Sequence, residues 1–295
     1  MGYLFLLIAL LAGAAKGYCG KKTSGYTSGS RDAVWASIVR MLFCALVGSV
    51  LILTSGEASL IIPSPKLLLV SMLSGISTAV LVVTWLICVK KSAYMVLDVF
   101  LMPGVLIPLT VSSIFFIEAI RPTQWLGIAV LFVAVVIMCS YNNSIKAKLT
   151  LSSLLMLLIC GIANGVADLS QKLFVKTISN GSVAVFNFYT YVFAALVLWI
   201  AYAVTPKAES SAGNANSKKM LGYIFIMAVC LFANSYFKTL AAGHLNAVLL
   251  YPLNQGCALI LSTVMSVVLF KEKFTARSGI GILTAFAGLL IINLL

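Results

Sequence analysis

The sequence predicts an all-α membrane protein whose ten transmembrane helices form two inverted five-helix repeats. The first observation is composition: 62% of the residues are hydrophobic, 9% are charged, and the mean hydropathy is +1.11. An ordinary soluble domain carries about 25% charged residues, so lipid must be part of the solvent of this chain. The second is that the apolar runs are continuous, which favours helices over the alternating strands of a β-barrel. The third is an internal repeat.

The repeat consists of an apolar run, a glutamate and another apolar run. Glu118 follows the run 93–117, and Glu272 follows the run 247–270. Other positions match at the same offset of 154 residues, with Phe116, Gly127, Ile128 and Phe132 falling on Phe270, Gly281, Ile282 and Phe286. Two similar halves are therefore predicted, residues 1–145 and residues 146–295.

Each half contains five apolar runs close to the length of about 20 residues that a helix needs to cross the hydrocarbon layer. The first half holds the runs 3–19, 33–54, 67–89, 93–117 and 124–141. The second half holds the runs 149–169, 183–204, 220–241, 247–270 and 278–295. Because five is odd, the second half enters the membrane from the opposite side. Such inverted repeats are found mainly in secondary transporters.

The distribution of lysine and arginine predicts the orientation. The loops after the odd-numbered runs hold fourteen of these residues when Lys16 is counted with its adjacent loop, and the remaining loops hold five when Lys238 is counted in the same way. Arg40 lies inside the second run and is counted in neither set. Positive residues concentrate in cytoplasmic loops. The count therefore predicts a multi-pass protein of the cytoplasmic (inner) membrane with both termini outside.

The two run–glutamate–run units resemble the EamA-like members of the drug/metabolite transporter superfamily. The residues that carry the resemblance are 92–93, 116–118 and 125–127 in the first half, 246–247, 270–272 and 279–281 in the second, and Gly13 and Gly161 near the ends of the first helices. The resemblance implies ten helices in two inverted halves, with a cavity lined chiefly by helices one, three, four, six, eight and nine. Family members commonly have cytoplasmic termini and no lysine in the first helix, and this chain departs from both patterns.

The inverted repeat, the polar residues within the runs and the resemblance together favour secondary active transport, by alternating access, of a small polar or amphipathic metabolite such as an amino acid, an amine or a drug-like compound. Ionisable residues within membrane helices cost about 2.5 to 3.5 kcal/mol each on insertion scales, so they need a partner or a watery cavity. Asp98 is such a residue, and Pro103 and Pro108 follow it, each removing a helix hydrogen bond. A carboxylate beside an interrupted helix suits a proton or cation site. The alternative is an ion pair with Lys90 or Lys91.

Lys16 is the second ionisable candidate. It faces the cavity if the first helix continues to Cys19, where it would attract a carboxylate or phosphate; the alternative is that it snorkels to the adjacent loop. Its counterpart in the repeat is Asn164, and Asp168 follows one turn later on the same helix face.

The eighth and ninth runs carry further polar residues that could bind a small solute without a full charge. The candidate substrate-binding residues, added to Lys16, Asp98, Asn164 and Asp168, are Trp85, Asn187, Asn234, Tyr236, Lys238, Tyr251, Asn254 and Gln255. The alternative for the polar ones is hydrogen bonding between helices, worth about 0.6 kcal/mol on average. Glu118 and Glu272 look like structural residues at helix corners.

Other functions find no support in the motifs. The cysteines lack paired spacing, His244 is the only histidine, and neither a G-x-S-x-G nor an HExxH motif occurs, so we do not expect an enzyme or a resident cofactor or metal. The basic residues form no stripe interleaved with aromatics, which argues against nucleic acid despite the net charge of +13. The expected partners are the lipid bilayer and a small-molecule substrate, and the chain is expected to be a monomer or homodimer.

Two alternatives to a transporter remain open from the sequence. One is a membrane-embedded enzyme or a lipid-handling flippase. The other is a channel-like or structural subunit, in which small residues of the last run, including Gly281, Ala285 and Gly288, would pack against a second protomer.

Overall fold

A computed structural model describes residues 1–27, 29–91, 97, 100–142, 151–178, 181–206, 218–271 and 276–294. In these ranges the regular structure is helical. The α-helices are α1 (Gly2–Ser24), α2 (Ser30–Thr54), α3 (Pro65–Lys91), α4 (Leu106–Phe115), α5 (Pro122–Asn142), α6 (Leu151–Thr177), α7 (Val183–Val204), α8 (Lys218–His244), α9 (Ala247–Val268) and α10 (Ala276–Leu294). Short 3₁₀ helices lie at Glu57–Ile61 and Met102–Val105. The predicted all-α class is thus confirmed for the described residues.

Seven helices in the described ranges are long and apolar enough to cross a membrane. They are Gly2–Ser24, Ser30–Thr54, Pro65–Val89, Leu155–Thr177, Val183–Val204, Lys218–His244 and Ala247–Val268. Three shorter apolar helices, Met102–Phe115, Pro122–Ala134 and Gly279–Ile292, cover the remaining predicted runs. Many leucine, isoleucine and valine side chains on the outside of the bundle are exposed, as lipid contact requires. The chain is a multi-pass membrane protein.

The fourth predicted run differs from a single continuous helix. In its described part residues 97, 100 and 101 are helical, the 3₁₀ turn Met102–Val105 follows, and the ten-residue α4 comes next. The two prolines explain this form, because each lacks an N–H and is tolerated best in a first helical turn. Pro103 lies at the start of the 3₁₀ turn and Pro108 lies in the first turn of α4. Asp98, the candidate coupling residue of this run, lies outside the described residues.

Two helices extend well beyond the apolar runs that predicted them. α1 continues to Ser24 rather than ending near residue 19, and α6 continues to Thr177 rather than ending near residue 169. Hydropathy ends a predicted helix at its first cluster of polar residues, even where those residues face the protein interior. Lys16 and Lys172 are therefore helical residues and not loop residues.

The bundle is assembled from pairs of helices that belong to different halves. α1 packs along α8, α3 along α6, α2 along α7, and α5 along α10. The 3₁₀ turn packs on α6 so closely that a Cβ atom added to Gly104 would lie 2.1 Å from the carbonyl oxygen of Gly161. Only glycine allows two backbones to approach to this distance.

The small residues of α10 have a partner within the chain. A Cβ atom on Gly288 would lie 3.0 Å from the backbone oxygen of Gly127 in α5, and Ala285 is fully buried. This face of α10 therefore packs against α5, and it gives no support to packing against a second protomer.

Candidate functional site

A cavity of about 130 Å³ lies at the centre of the bundle, between the two halves. Its volume is roughly ten times what one water molecule needs. Residues of α1, α2, α3, α6, α7, α8 and α9 line it, together with Leu101 beside the 3₁₀ turn. The polar lining residues are Lys16, Arg40, Thr78, Asn164, Asp168, Gln171, Tyr191, Asn234, Ser235, Lys238, Asn254, Gln255 and Ser262. The resemblance implied most of these helices, but α2 and α7 contribute as well.

One face of α6 supplies the polar wall of the cavity. Asn164, Asp168 and Gln171 follow one another at intervals of four and three residues, which places them on the same side of a helix. The glycines Gly161 and Gly165 on this helix pack against the 3₁₀ turn, which holds α6 against the first half of the chain. The packing of these glycines therefore positions the polar face.

An ion pair between α6 and α8 lies in this wall. The Nζ atom of Lys238 donates to Oδ1 of Asp168, and both side chains are buried. The hydroxyl of Tyr251 on α9 donates to the backbone oxygen of Asp168 at 2.8 Å. The ion pair orients and neutralises the carboxylate, as burial of a charge requires, and the Tyr251 bond ties α9 to the backbone of α6 at the same residue.

Hydrogen bonds continue from the cavity wall into the bundle. Nε2 of Gln171 donates to Oγ of Ser235 at 3.1 Å, and Oγ of Ser235 donates to Oδ1 of Asn187 at 2.6 Å. Nδ2 of Asn234 donates to the backbone oxygen of Ala9 at 2.7 Å, which ties α8 to α1. Side-chain hydrogen bonds therefore tie α8 to α6, α7 and α1, and they hold these side chains in defined positions.

Several buried polar atoms of the cavity have no hydrogen-bond partner among the described residues. They are Nε and Nη2 of Arg40, Nδ2 of Asn164, Oδ2 of Asp168 and Oε1 of Gln171. More than nine in ten buried polar groups in proteins are paired, and leaving one unpaired costs about 1–3 kcal/mol. These five atoms lie around one cavity, where they are available to bind a polar solute or water.

The structure places eight of the twelve candidate residues at the cavity: Lys16, Trp85, Asn164, Asp168, Asn234, Lys238, Asn254 and Gln255. Tyr251 lies behind Asp168, and Asn187 lies behind Ser235. Tyr236 stacks on Phe232 with ring centroids 6.0 Å apart and is not part of the described lining. The twelfth, Asp98, falls outside the described residues. Since α1 continues past Cys19, Lys16 lies within a helix and at the cavity.

The candidate residues did not include six of the polar lining residues: Arg40, Thr78, Gln171, Tyr191, Ser235 and Ser262. Arg40 is 3% exposed and comes from the middle of α2, Gln171 comes from the extension of α6, and Ser235 follows Asn234. Arg40 carried a usable signal, because a charge inside an apolar run is the criterion that selected Asp98. Gln171 lay beyond the predicted end of its run and carried none.

A second buried cluster lies at one end of the bundle, at the corner between α4 and α5. Oε1 of Glu118 contacts Nζ of Lys172 at 2.9 Å and Nζ of Lys176 at 3.1 Å, and Oε2 accepts the backbone N–H of Ala247 at 2.7 Å. Ala247 is the first residue of α9, so this carboxylate caps a helix of the other half. Burial alone would raise the pKa of Glu118, but the Ala247 amide and the two ammonium groups outweigh it and lower the pKa below 4.5.

The cluster agrees with a structural role for Glu118. It joins the α4–α5 corner to α6 and to the start of α9. Lys172 also donates to the backbone oxygen of Leu245 at 2.9 Å, immediately before α9. Glu272, the counterpart of Glu118 in the repeat, lies outside the described residues.

Comparison with known proteins shows similarity both to a family model and to solved structures. Residues 151–294 match the model of the EamA-like transporter family, in agreement with the resemblance seen in the sequence. A crystal structure of a protein that is 13% identical superposes with a TM-score of 0.76, over 99% of this chain and 96% of that one. At this identity the likeness concerns the fold alone. No curated protein sequence matches the chain.

Proposed function

We propose that the protein, whose residues 151–294 match the model of the EamA-like transporter family, is a secondary active transporter of a small polar or amphipathic metabolite. The observation that carries the proposal is the central cavity. It lies inside a membrane protein, both halves line it, and unpaired hydrogen-bonding atoms surround it. A cavity that served packing alone would be apolar and dry.

The proposed mechanism is alternating access, in which the two halves rock about the bound solute. Exchanging the halves turns α1 into α6 and α3 into α8. Under this exchange the α1–α8 contact becomes the α3–α6 contact, and the α2–α7 and α5–α10 contacts become themselves. This pairing supports the inverted repeat that the offset of 154 residues predicts. Rocking about such a symmetry relation exposes one central site to each side in turn.

The distribution of lysine and arginine supports a proposal for the orientation, and the sequence of the fourth run supports one for the coupling residue. We propose that the protein lies in the cytoplasmic membrane with both termini outside. Asp98 is proposed to bind a coupling proton or cation. Asp168 is not assigned this role, because its carboxylate already pairs with Lys238.

Alanine in place of Asn164 tests the proposal without disturbing the fold. Nδ2 of Asn164 has no partner among the described residues, so its removal breaks no described hydrogen bond of that group but removes a donor from the cavity. Uptake of radiolabelled amino acids, amines and nucleosides into proteoliposomes is the measurement. We expect saturable uptake of at least one compound by the wild-type protein, and a loss of roughly tenfold or more in its transport efficiency in Asn164→Ala.

Asn246→Ala is the matched control. Asn246 is exposed, lies before α9 and makes no side-chain capping bond, so this variant should transport like the wild type. Flux that rises in proportion to concentration without saturation would indicate a channel and contradict the proposal. Equal loss in the two asparagine variants would remove the cavity from the mechanism.

A further inference from the structure

We propose that the solute carries an anionic oxygen group, a carboxylate or a phosphate, and that Arg40 binds it. This inference rests on the proposed function, because it assigns a substrate class to the same cavity. The evidence is that Arg40, unlike the buried lysines of the described ranges, has no carboxylate partner there.

Arg40 is buried without a carboxylate partner among the described residues. The two buried lysines in those ranges both have one, since Lys172 contacts Glu118 and Lys238 contacts Asp168. The guanidinium of Arg40 donates from Nη1 to the sulfur of Met227 at 3.4 Å, and a thioether is a weak acceptor. An arginine side chain stays protonated in proteins, so it must be stabilised by something other than loss of its proton.

The free atoms of Arg40 have the geometry that oxyanions require. Nε and Nη2 lie on the same edge of the planar guanidinium, and both lack a partner among the described residues. Two parallel N–H groups on one edge match the two oxygens of a carboxylate or phosphate, which is why arginine binds these groups in a bidentate manner. Arg40 therefore presents an unoccupied bidentate edge at the cavity.

The charge balance of the cavity points the same way. Among the described lining residues, Lys238 and Asp168 neutralise each other in an ion pair. Arg40 is buried and has no carboxylate partner in the described ranges. An anion bound beside Arg40 would therefore offset a buried positive charge, whereas a solute cation at that position would be repelled by it.

The remaining unpaired atoms narrow the class further. Oδ2 of Asp168 and Oε1 of Gln171 can only accept hydrogen bonds, so the same solute should carry donors such as hydroxyl or amino groups. Trp85, Leu81 and Val82 form an apolar wall. A small hydroxy acid, an amino acid or a phosphate ester of a small alcohol satisfies these conditions in a cavity of about 130 Å³.

Binding of matched compounds to the purified full-length protein tests the inference. The probes are lactate, L-serine and glycerol 3-phosphate, each beside a partner that lacks the anionic group: lactamide, L-serinamide and glycerol. The readout is the concentration dependence of the rise in melting temperature, from which an apparent Kd follows. We expect at least one anionic probe to raise the melting temperature and its partner not to do so. The first two pairs report on carboxylate and the third on phosphate.

The variants isolate Arg40. Arg40→Gln should weaken binding of the active probe roughly tenfold or more, and Arg40→Lys should fall between it and the wild type because one ammonium cannot replace the bidentate edge. Arg121→Gln, an exposed arginine between α4 and α5, should leave binding unchanged. The ligand-free melting temperature of Arg40→Gln should equal or exceed that of the wild type, since the substitution removes a buried charge without a carboxylate partner.

Three results would overturn the inference: no binding of any anionic probe, equal binding of the partners, or undiminished binding by Arg40→Gln. None of these results contradicts the proposal that the protein is a transporter. The proposed function is decided separately by the uptake assay with Asn164→Ala, so the two failures can be told apart.

Discussion

Glutamine in place of Glu118 is expected to destabilise the protein at neutral pH by about 3–5 kcal/mol, the loss typical of breaking a buried ion pair by removing one partner. The substitution leaves the buried ammonium of Lys172 without its carboxylate and removes the anionic cap from the Ala247 amide. The melting temperature of the purified protein is the measurement. Glu57→Gln is the control, because Glu57 accepts from the hydroxyl of Ser182 instead of pairing with a buried lysine. Its loss should be near 1 kcal/mol.

The effect of Glu118→Gln should depend on pH with a definite sign. The folded state lowers the pKa of Glu118 below 4.5, so between the two pKa values the unfolded chain binds more protons than the folded one. The stabilisation is thus fully present above the ordinary glutamate pKa and is lost as the pH falls through the folded-state pKa. The difference in melting temperature between wild type and Glu118→Gln should shrink below pH 4.5. A difference that is constant from neutral to acidic pH would contradict the ion-pair assignment.

Alanine in place of Gly104 is expected to cost more than about 3 kcal/mol, at or above the upper end of ordinary overpacking. The added Cβ atom would lie 2.1 Å from the backbone oxygen of Gly161 and 3.1 Å from the backbone nitrogen of Gly165. Backbone atoms cannot rotate aside as a flexible side chain can, so the 3₁₀ turn must separate from α6. That separation also displaces the polar face of α6 at the cavity. Ligand binding should therefore weaken together with stability.

Gly222→Ala is the matched control for this prediction. Gly222 lies within α8, and a Cβ atom there would meet nothing within 4 Å. Alanine is the better helix former by up to about 1 kcal/mol, so this variant should melt at the same temperature as the wild type or higher. If the two glycine variants melted alike, the close contact between the 3₁₀ turn and α6 would be wrong.

Much of the fold was predictable because the lipid solvent imposes a strong local rule. Backbone groups must be paired within each segment, so every run of sufficient apolar length becomes a helix, as α2 and α7 show with nearly unchanged bounds. The rule fails where a helix turns a polar face inward. The predicted ends of α1 and α6 were too early for this reason.

The partners of the charged residues were not predictable from local pattern. Glu118 pairs with Lys172 and Asp168 pairs with Lys238 across 54 and 70 residues of sequence, and no periodicity encodes such pairs. Arg40 was not among the candidate residues, because the count of positive charges set it aside as a residue inside a run. Its position in the middle of an apolar run was itself a signal of function, since an ionisable residue within a membrane helix usually has a functional role.

The central claim, that one polar cavity is exposed to each side of the membrane in turn, is tested most directly by sided labelling. A single cysteine replaces Ala258, which lines the cavity, in a variant whose seven native cysteines are removed. A membrane-impermeant maleimide is then applied to right-side-out and to inside-out vesicles. The account predicts labelling from both faces in vesicles that remain impermeable to the reagent, and no labelling of the cysteine-free parent. Labelling from neither face or from one face only would contradict it, and so would passage of the reagent into the vesicles.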